Sequence, residues 1–321
     1  MFPGPEMNTP FRPGTTWNDD AGRPIQAHGG GILHDKGTWY WYGEDKSPGD
    51  WNGTGTGRVS WVRCYSSRDL YTWHDEGTVL KAALDQEGHD LAPGRVVERP
   101  KVLFNGKTNR YVMWMHIDSG DYKYARTGVA VSPAPTGPFE YLGSFRPNDS
   151  ESRDMTVWQD DDGTAYLVHS SEGNATLHIA RLSDDYLKPS GQFVRVFEGR
   201  YREAPAVFKH AGKYHIVSSS CSGWKPNEAE YAVADSMMGE WKVVGNPCLG
   251  SEEQAKLTYH SQSTFCLPAP GRPGCFIFMA DRWNSRDLPD SRYIWLPLRV
   301  TDGRAEITWR DNWDMGVFDK P

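Results

Sequence analysis

Gly37-Thr-Trp-Tyr-Trp-Tyr-Gly-Glu44 decides the architecture, because four later stretches of the chain repeat its pattern. They are Asn109-Arg-Tyr-Val-Met-Trp-Met-His116, Gly163-Thr-Ala-Tyr-Leu-Val-His169, Gly212-Lys-Tyr-His-Ile-Val-Ser218 and Gly274-Cys-Phe-Ile-Phe-Met-Ala280. Each opens on a residue suited to a tight turn and continues in aromatic and aliphatic residues, which reads as a buried strand. A second apolar run precedes each turn: Gly31-Ile-Leu-His34, Pro100-Lys-Val-Leu-Phe104, Met155-Thr-Val-Trp158, Pro205-Ala-Val-Phe208 and Ser263-Thr-Phe-Cys266. The pairs are hairpins, recurring at intervals of very roughly 50–70 residues. A further strand, polar turn and strand follow in Arg63 to Glu76, Gly128 to Leu142, Leu177 to Phe197, Tyr231 to Val244 and Leu296 to Trp309. Two hairpins make a four-stranded antiparallel sheet, and five such sheets around an axis make an all-β, five-bladed β-propeller. Long helical periodicity is absent. The competing architecture is a β-sandwich, but sandwiches do not repeat paired hairpins five times. No linker or shift in composition divides the chain, so residues 1–321 read as one domain whose ends are placed to close the ring.

The composition fits that reading. Of 321 residues, 38 % are apolar and 24 % charged, with 33 Gly and 22 Pro, as in a globular chain rich in turns. The net charge of −7 and the lack of any Lys/Arg run speak against nucleic acid as a partner. No run of about 18 apolar residues exists, so no membrane-spanning helix is expected. Met1 to Pro13 shows no charged start followed by an apolar stretch, so no secretory leader is read there. Location stays open between cytoplasmic and secreted with a leader removed. Five cysteines (64, 221, 248, 266 and 275) lack metal-type spacing. They read as free thiols, with pairing of Cys248 to Cys266 or Cys275 as the alternative. The 14 Trp and 15 Tyr suit both a packed core and stacking on the apolar faces of sugar rings. A monomer without a cofactor is expected.

A propeller gathers the starts of its innermost strands around one end of the axis. The five starts read Gln26-Ala-His28-Gly-Gly-Gly31, Val97-Glu98-Arg99-Pro100, Ser152-Arg153-Asp154-Met155, Arg202-Glu203-Ala204-Pro205 and His260-Ser261-Gln262-Ser263. One polar residue from each gives His28 or Gln26, Glu98, Asp154, Glu203 and Gln262. Three carboxyls converging in a partly dry cleft raise one another's pKa. A general acid for glycoside cleavage needs that shift at neutral pH. Arg99, Arg153 and Arg202 flank the three acids, either as part of the site or as ion pairs that fix loops. Trp39, Trp41, Trp114 and Trp158 lie within strands and read as core between blades.

These residues resemble the clan F, family 43 glycoside hydrolases, which are five-bladed propellers. Glu203-Ala-Pro-Ala206 is similar to that family's general-acid motif, and Asp154-Met155 to its pKa-modulating Asp. More narrowly, Gln26-Ala-His-Gly-Gly-Gly31, Trp39-Tyr-Trp-Tyr-Gly-Glu44, Glu98-Arg-Pro-Lys101 and Ser261-Gln-Ser-Thr264 resemble the exo-β-1,3-galactanase group. The likeness runs over nearly the whole chain. It implies an inverting exo-β-1,3-galactanase or β-galactosidase acting on the β-1,3-galactan of arabinogalactan. Glu203 is then the acid, Asp154 its tuner, and Glu98 a ligand for a substrate hydroxyl or an auxiliary acid. The wider family places a basic Asp on the first blade. Here that stretch, Ile25-Gln26-Ala27-His28, has no carboxyl. By resemblance Gln262 takes over the water, as an imidic-acid tautomer or by position alone. The resemblance also makes Tyr122 a pocket residue and allows a central calcium near His260. Glu44, Trp224, His28 and Asn174 are further candidates for contact with an oligo- or polysaccharide. The alternatives are an α-L-arabinofuranosidase or β-xylosidase of the same fold, and a propeller that binds carbohydrate without cleaving it. Ser67-Arg-Asp69-Leu-Tyr-Thr-Trp73 and Asp160-Asp-Asp162-Gly163 look like an Asp-box and a calcium loop, but read better as tight turns.

Overall fold

A computed structural model describes residues 10–47 and 59–319. Most of Met1 to Pro13, where a leader was sought, lies outside the described residues. Five sheets follow one another along the chain. Blade one holds β1 (His28–Asp35), β2 (Thr38–Asp45), β3 (Trp61–Ser67) and β4 (His74–Leu80). Blade two holds β5 (Val96–Asn105), β6 (Arg110–Asp118), β7 (Arg126–Ser132) and β8 (Glu140–Phe145). Blade three holds β9 (Met155–Gln159), β10 (Ala165–Ser171), β11 (Thr176–Leu182) and β12 (Pro189–Val196). Blade four holds β13 (Arg202–His210), β14 (Lys213–Ser220), β15 (Glu230–Ala234) and β16 (Trp241–Gly245). Then come β17 (Cys248–Leu249), β18 (Gln262–Pro268), β19 (Cys275–Arg282), β20 (Arg292–Thr301) and β21 (Arg304–Thr308). The last four form blade five as antiparallel neighbours, and β17 adds a short parallel strand on the β21 edge.

The turn residue heading each repeat has a left-handed backbone: Gly37 (φ 80°), Asn109 (φ 52°), Gly163 (φ 82°), Gly212 (φ 77°) and Gly274 (φ 76°). Tight hairpins need such residues, and Gly and Asn tolerate them best. The strands starting each blade neighbour one another in a closed circuit: β1 with β5, β5 with β9, β9 with β13, β13 with β18, and β18 with β1.

The core is divided into five apolar clusters, one in each cleft between adjacent blades. Trp41 and Trp114 are fully buried in theirs. The cleft between blades five and one also takes up Phe11, Trp313 and Phe318, from the first and last stretches of the described residues. Phe11 bridges Trp313, donating to its carbonyl at 2.7 Å and accepting back at 3.0 Å.

The suggested cysteine pairing does not occur, since all five thiols are free. Cys248 on β17 and Cys266 on β18 sit on opposite edges of blade five. At about 4.8 Å per strand they are roughly 19 Å apart, and Cys248 is roughly 14 Å from the β19 strand of Cys275. A disulfide spans less than about 7 Å between Cα atoms. Among the described residues no helix is long and apolar enough to cross a membrane. Residues 67–73 and 160–163 are turns, closed by Asp69 and Asp160.

Candidate active site

The site is built by a distortion repeated at the strand starts. Registers slip between His28 and Gly31, Glu98 and Lys101, Glu203 and Ala206, and Ser263 and Phe265. In three blades the residue after the start has positive φ: Gly29 (58°), Arg99 (58°) and Ala204 (52°). Such bulges kink a strand and re-aim the side chain beside them. In blade three Asp154 precedes β9 instead, its carbonyl accepting from Ser170 N at 2.9 Å.

The result is a cavity of about 350 Å³ at the axis. Glu98, Asp154, Glu203 and Gln262 all line it, as do Glu44, Tyr122, Asn174 and Trp224. His28 does not. It is fully buried below the cavity, its Nδ1 3.3 Å from Asp281 Oδ1 and its ring stacked on Tyr293. Gln26 is also withdrawn, donating to the Pro289 carbonyl at 2.9 Å. Blade one contributes Glu44 in their place, from the strand paired opposite His28. Gly29 makes this possible, because a Cβ there would lie 2.1 Å from Glu44 Oε1.

Arg99 is the charged centre. Its guanidinium reaches Asp154 Oδ2 at 2.9 Å, Gln262 Oε1 at 2.5 Å and the Ser263 carbonyl at 3.0 Å. Its backbone N–H donates to Glu44 Oε1 at 2.9 Å, and Lys46 pairs with the other Glu44 oxygen. Arg153 lines the cavity and also fixes a loop, while Arg202 lies outside the lining and only fixes one. Arg153 holds the Tyr122 carbonyl and pairs with Glu151, while Arg202 binds Ser218 and the Glu228 carbonyl.

Glu203 accepts from Gln262 Nε2 at 2.9 Å on Oε1, and from Asn174 Nδ2 at a long 3.4 Å on Oε2. Burial, then the negative charge of Asp154, pushes its carboxyl up to about 8, against the opposing pull of Arg99. Arg99 thus ties Asp154 in place beside Glu203. Glu98 accepts from Tyr122 Oη at 2.9 Å. Behind it, His116 Nε2 lies 2.8 Å from Asp118 Oδ2 and Nδ1 lies 3.4 Å from Glu98 Oε2, close enough for an ion pair but off line for a good hydrogen bond. Burial opposes charge on His116, but the two carboxylates outweigh it and raise the ring to about 9.

His260, named above beside a central calcium, does not line the axial cavity. It is exposed on a turn and belongs to no group of His, Cys, Asp and Glu tight enough to share an ion among the described residues. The tight group is Glu98, His116 and Asp154.

Trp283, Cys221 and Lys46 were missed in the sequence. Trp283 and Cys221 line the cavity just beyond the second strands of their blades, and Lys46 sits buried one residue past β2. The available signal was the antiparallel partner of each strand start. Register places Glu44, His116, Ser219 and Asp281 opposite His28, Glu98, Glu203 and Gln262.

The family model for glycosyl hydrolases family 43 matches residues 24–266, which include every strand start around this cavity. The chain belongs to family 43. A solved family 43 β-1,3-galactosidase with bound galactodeoxynojirimycin is 41 % identical, covers 95 % of this chain and 100 % of its own, and superposes with a TM-score of 0.87. The exo-β-1,3-galactanase of Phanerochaete chrysosporium, solved with β-1,3-galactotriose, is 38 % identical over 95 % of this chain and 68 % of its own, with a TM-score of 0.85. A β-D-galactofuranosidase of Aspergillus niger is 26 % identical over 205 residues, so the chain spans 58 % of that curated relative. Family 43 membership makes the chain a glycoside hydrolase and its substrate a carbohydrate.

Proposed function

We propose that this family 43 hydrolase is an inverting, exo-acting enzyme that releases galactose from β-1,3-galactan, the backbone of arabinogalactan. Glu203 carries the reading. It is a half-buried carboxyl raised toward about 8 by desolvation and by the neighbouring Asp154, with no carboxyl at the first-blade strand start to serve as an ordinary base. The likeness to a β-1,3-galactosidase and an exo-β-1,3-galactanase over nearly the whole chain supports the choice of sugar and linkage.

In this reading Glu203 protonates the glycosidic oxygen as its bond to the anomeric carbon breaks. Water adds from the opposite face, positioned by Gln262, and releases its proton to the medium. Asp154 holds the charge beside Glu203. Glu98 and Glu44 accept from sugar hydroxyls, and Tyr122 and Trp224 form wall. Asn174 Oδ1, buried with no hydrogen-bond partner among the described residues, offers another acceptor. The missing first-blade carboxyl weighs against arabinofuranosidase or xylosidase action.

The test is hydrolysis of β-1,3-galactobiose and galactotriose beside arabinan and xylan oligosaccharides, with the product anomer followed by NMR. Galactose appearing first as the α anomer, from the β-1,3 substrates alone, is expected. A β anomer first, or a preference for xylan, overturns the proposal. Glu203→Gln is expected to lower kcat by on the order of 10²–10⁴ while leaving galactobiose binding intact by calorimetry. A near wild-type rate removes Glu203 from the acid role. Binding without hydrolysis by the unmodified chain points to a carbohydrate-binding propeller instead.

A further inference from the structure

The orientation of the Gln262 amide is dictated by its neighbours. Its Oε1 receives Arg99 Nη2 at 2.5 Å and Trp283 Nε1 at 2.9 Å. Guanidinium and indole nitrogens can only donate, so the atom they meet has to be the oxygen. The amide nitrogen therefore faces the other way, donating to Glu203 Oε1 at 2.9 Å and Ser219 Oγ at 3.0 Å. Both acceptor sites and both N–H groups of the amide are in use. The two clamping residues are themselves held. Arg99 is buried and tied to Asp154 and the Ser263 carbonyl. Trp283 packs edge-on against Trp224 with ring centroids 5.2 Å apart, and Lys46 Nζ lies 5.9 Å from its ring.

We infer that Arg99 and Trp283 lock Gln262 as an ordinary amide whose N–H stabilises the Glu203 carboxylate, so that Trp283 is a positioning residue for the acid. This rests on the reading of Glu203 as the acid. Two consequences follow for the chemistry. An imidic-acid form of Gln262 carries its proton on Oε1, where it would meet two donors and no acceptor. Gln262 thus does not take the water's proton, and with both N–H groups engaged it bears on the water only through its place in the site. In addition, Glu203 Oε1 is committed to the amide, which leaves Oε2 to carry the proton that is transferred. When that proton leaves, the new carboxylate meets an N–H already in place, and stabilisation needs no rearrangement at the moment of reaction.

The lock is tested without reference to the sugar, by titrating Glu203 in protein labelled with ¹³Cδ-glutamate. The signal is assigned by its loss in Glu203→Gln. A donor to a carboxylate favours the charged form, so its removal raises the titration midpoint. Gln262→Ala is expected to raise it by about one unit, the scale of one charge-assisted hydrogen bond. Trp283→Phe keeps the ring packing and removes only the N–H, and is expected to raise it by a smaller amount in the same direction. A midpoint unmoved in both variants overturns the inference. The same variants are expected to shift the alkaline limb of kcat/KM upward while KM changes little. Gln262→Glu separates the two roles of the amide. A base at this position predicts that the carboxylate restores hydrolysis lost in Gln262→Ala, whereas the lock predicts none, because two carboxyls then compete for one proton. Restored hydrolysis overturns the lock. If no galactoside is cleaved by the unmodified chain, the functional proposal fails while the titration still decides the lock.

Discussion

At the scale of single residues, the proposed chemistry rests on one displaced ionisation. Glu203 is raised to about 8 from an ordinary 4.5 by burial and the neighbouring Asp154 charge. With Glu203 as the proposed acid, hydrolysis needs the protonated form, so kcat/KM is expected to fall as pH rises through about 8. The same displacement bears on stability. A carboxyl raised in the folded state binds its proton more tightly there than when unfolded. Its contribution is fully present below about 4.5 and is lost as pH rises through about 8. Glu203→Gln removes that loss. Its melting temperature relative to the parent is therefore expected to climb between those pH values and level off above them; a flat difference in melts across the window would falsify the assignment of a raised carboxyl. Glu98, Asp154, Glu203 and Gln262 were legible because each occupies one recurring position at the start of an innermost strand. His28 held that position in blade one and was misread, because Gly29 and its bulge draw the backbone away and admit Glu44 instead.

At the scale of the element, the working unit is the kinked start of a first strand against the end of the second. Arg99 and Ala204 hold left-handed backbones that cost non-glycine residues on the order of 1–3 kcal/mol, a cost tolerated where the surrounding sheet fixes the conformation. In blade one the close approach falls on Gly43 instead. A Cβ there would lie 2.0 Å from the backbone carbonyl carbon of Ala27, with no flexible side chain to move aside. Gly43→Ala is therefore expected to destabilise by about 3 kcal/mol or more in urea denaturation and to weaken galactobiose binding by displacing Glu44. Unchanged stability would show that the blade-one backbone yields at that point. The hairpins themselves were readable because the turn residue and the strand period are local. The bulges were not, since a register slip is set by what packs across the neighbouring strand.

At the scale of the whole molecule, the propeller works by closure. Cavity geometry depends on five blades meeting, and the seam between the last and the first is filled by aromatic residues such as Phe11, Trp17, Trp313 and Phe318. Trp313 is 4 % exposed, packs tilted against Phe11 with centroids 4.5 Å apart, and donates its indole N–H to the Trp295 carbonyl at 2.9 Å. Trp313→Ala is expected to cost about 3–5 kcal/mol in chemical denaturation and to loosen the axial cavity. A loss under about 1 kcal/mol would mean that the seam holds without it. Length, turn residues and strand period in the sequence by themselves determined five paired hairpins, and hence the propeller and the acids at its axis. Each of those signals is local and repeats. Only the tertiary structure decided which polar residues face the cavity, that Arg99 joins Asp154 to Gln262, and that Trp283 turns the amide toward Glu203. Those contacts join residues from different blades across the axis, and no spacing along the chain encodes them.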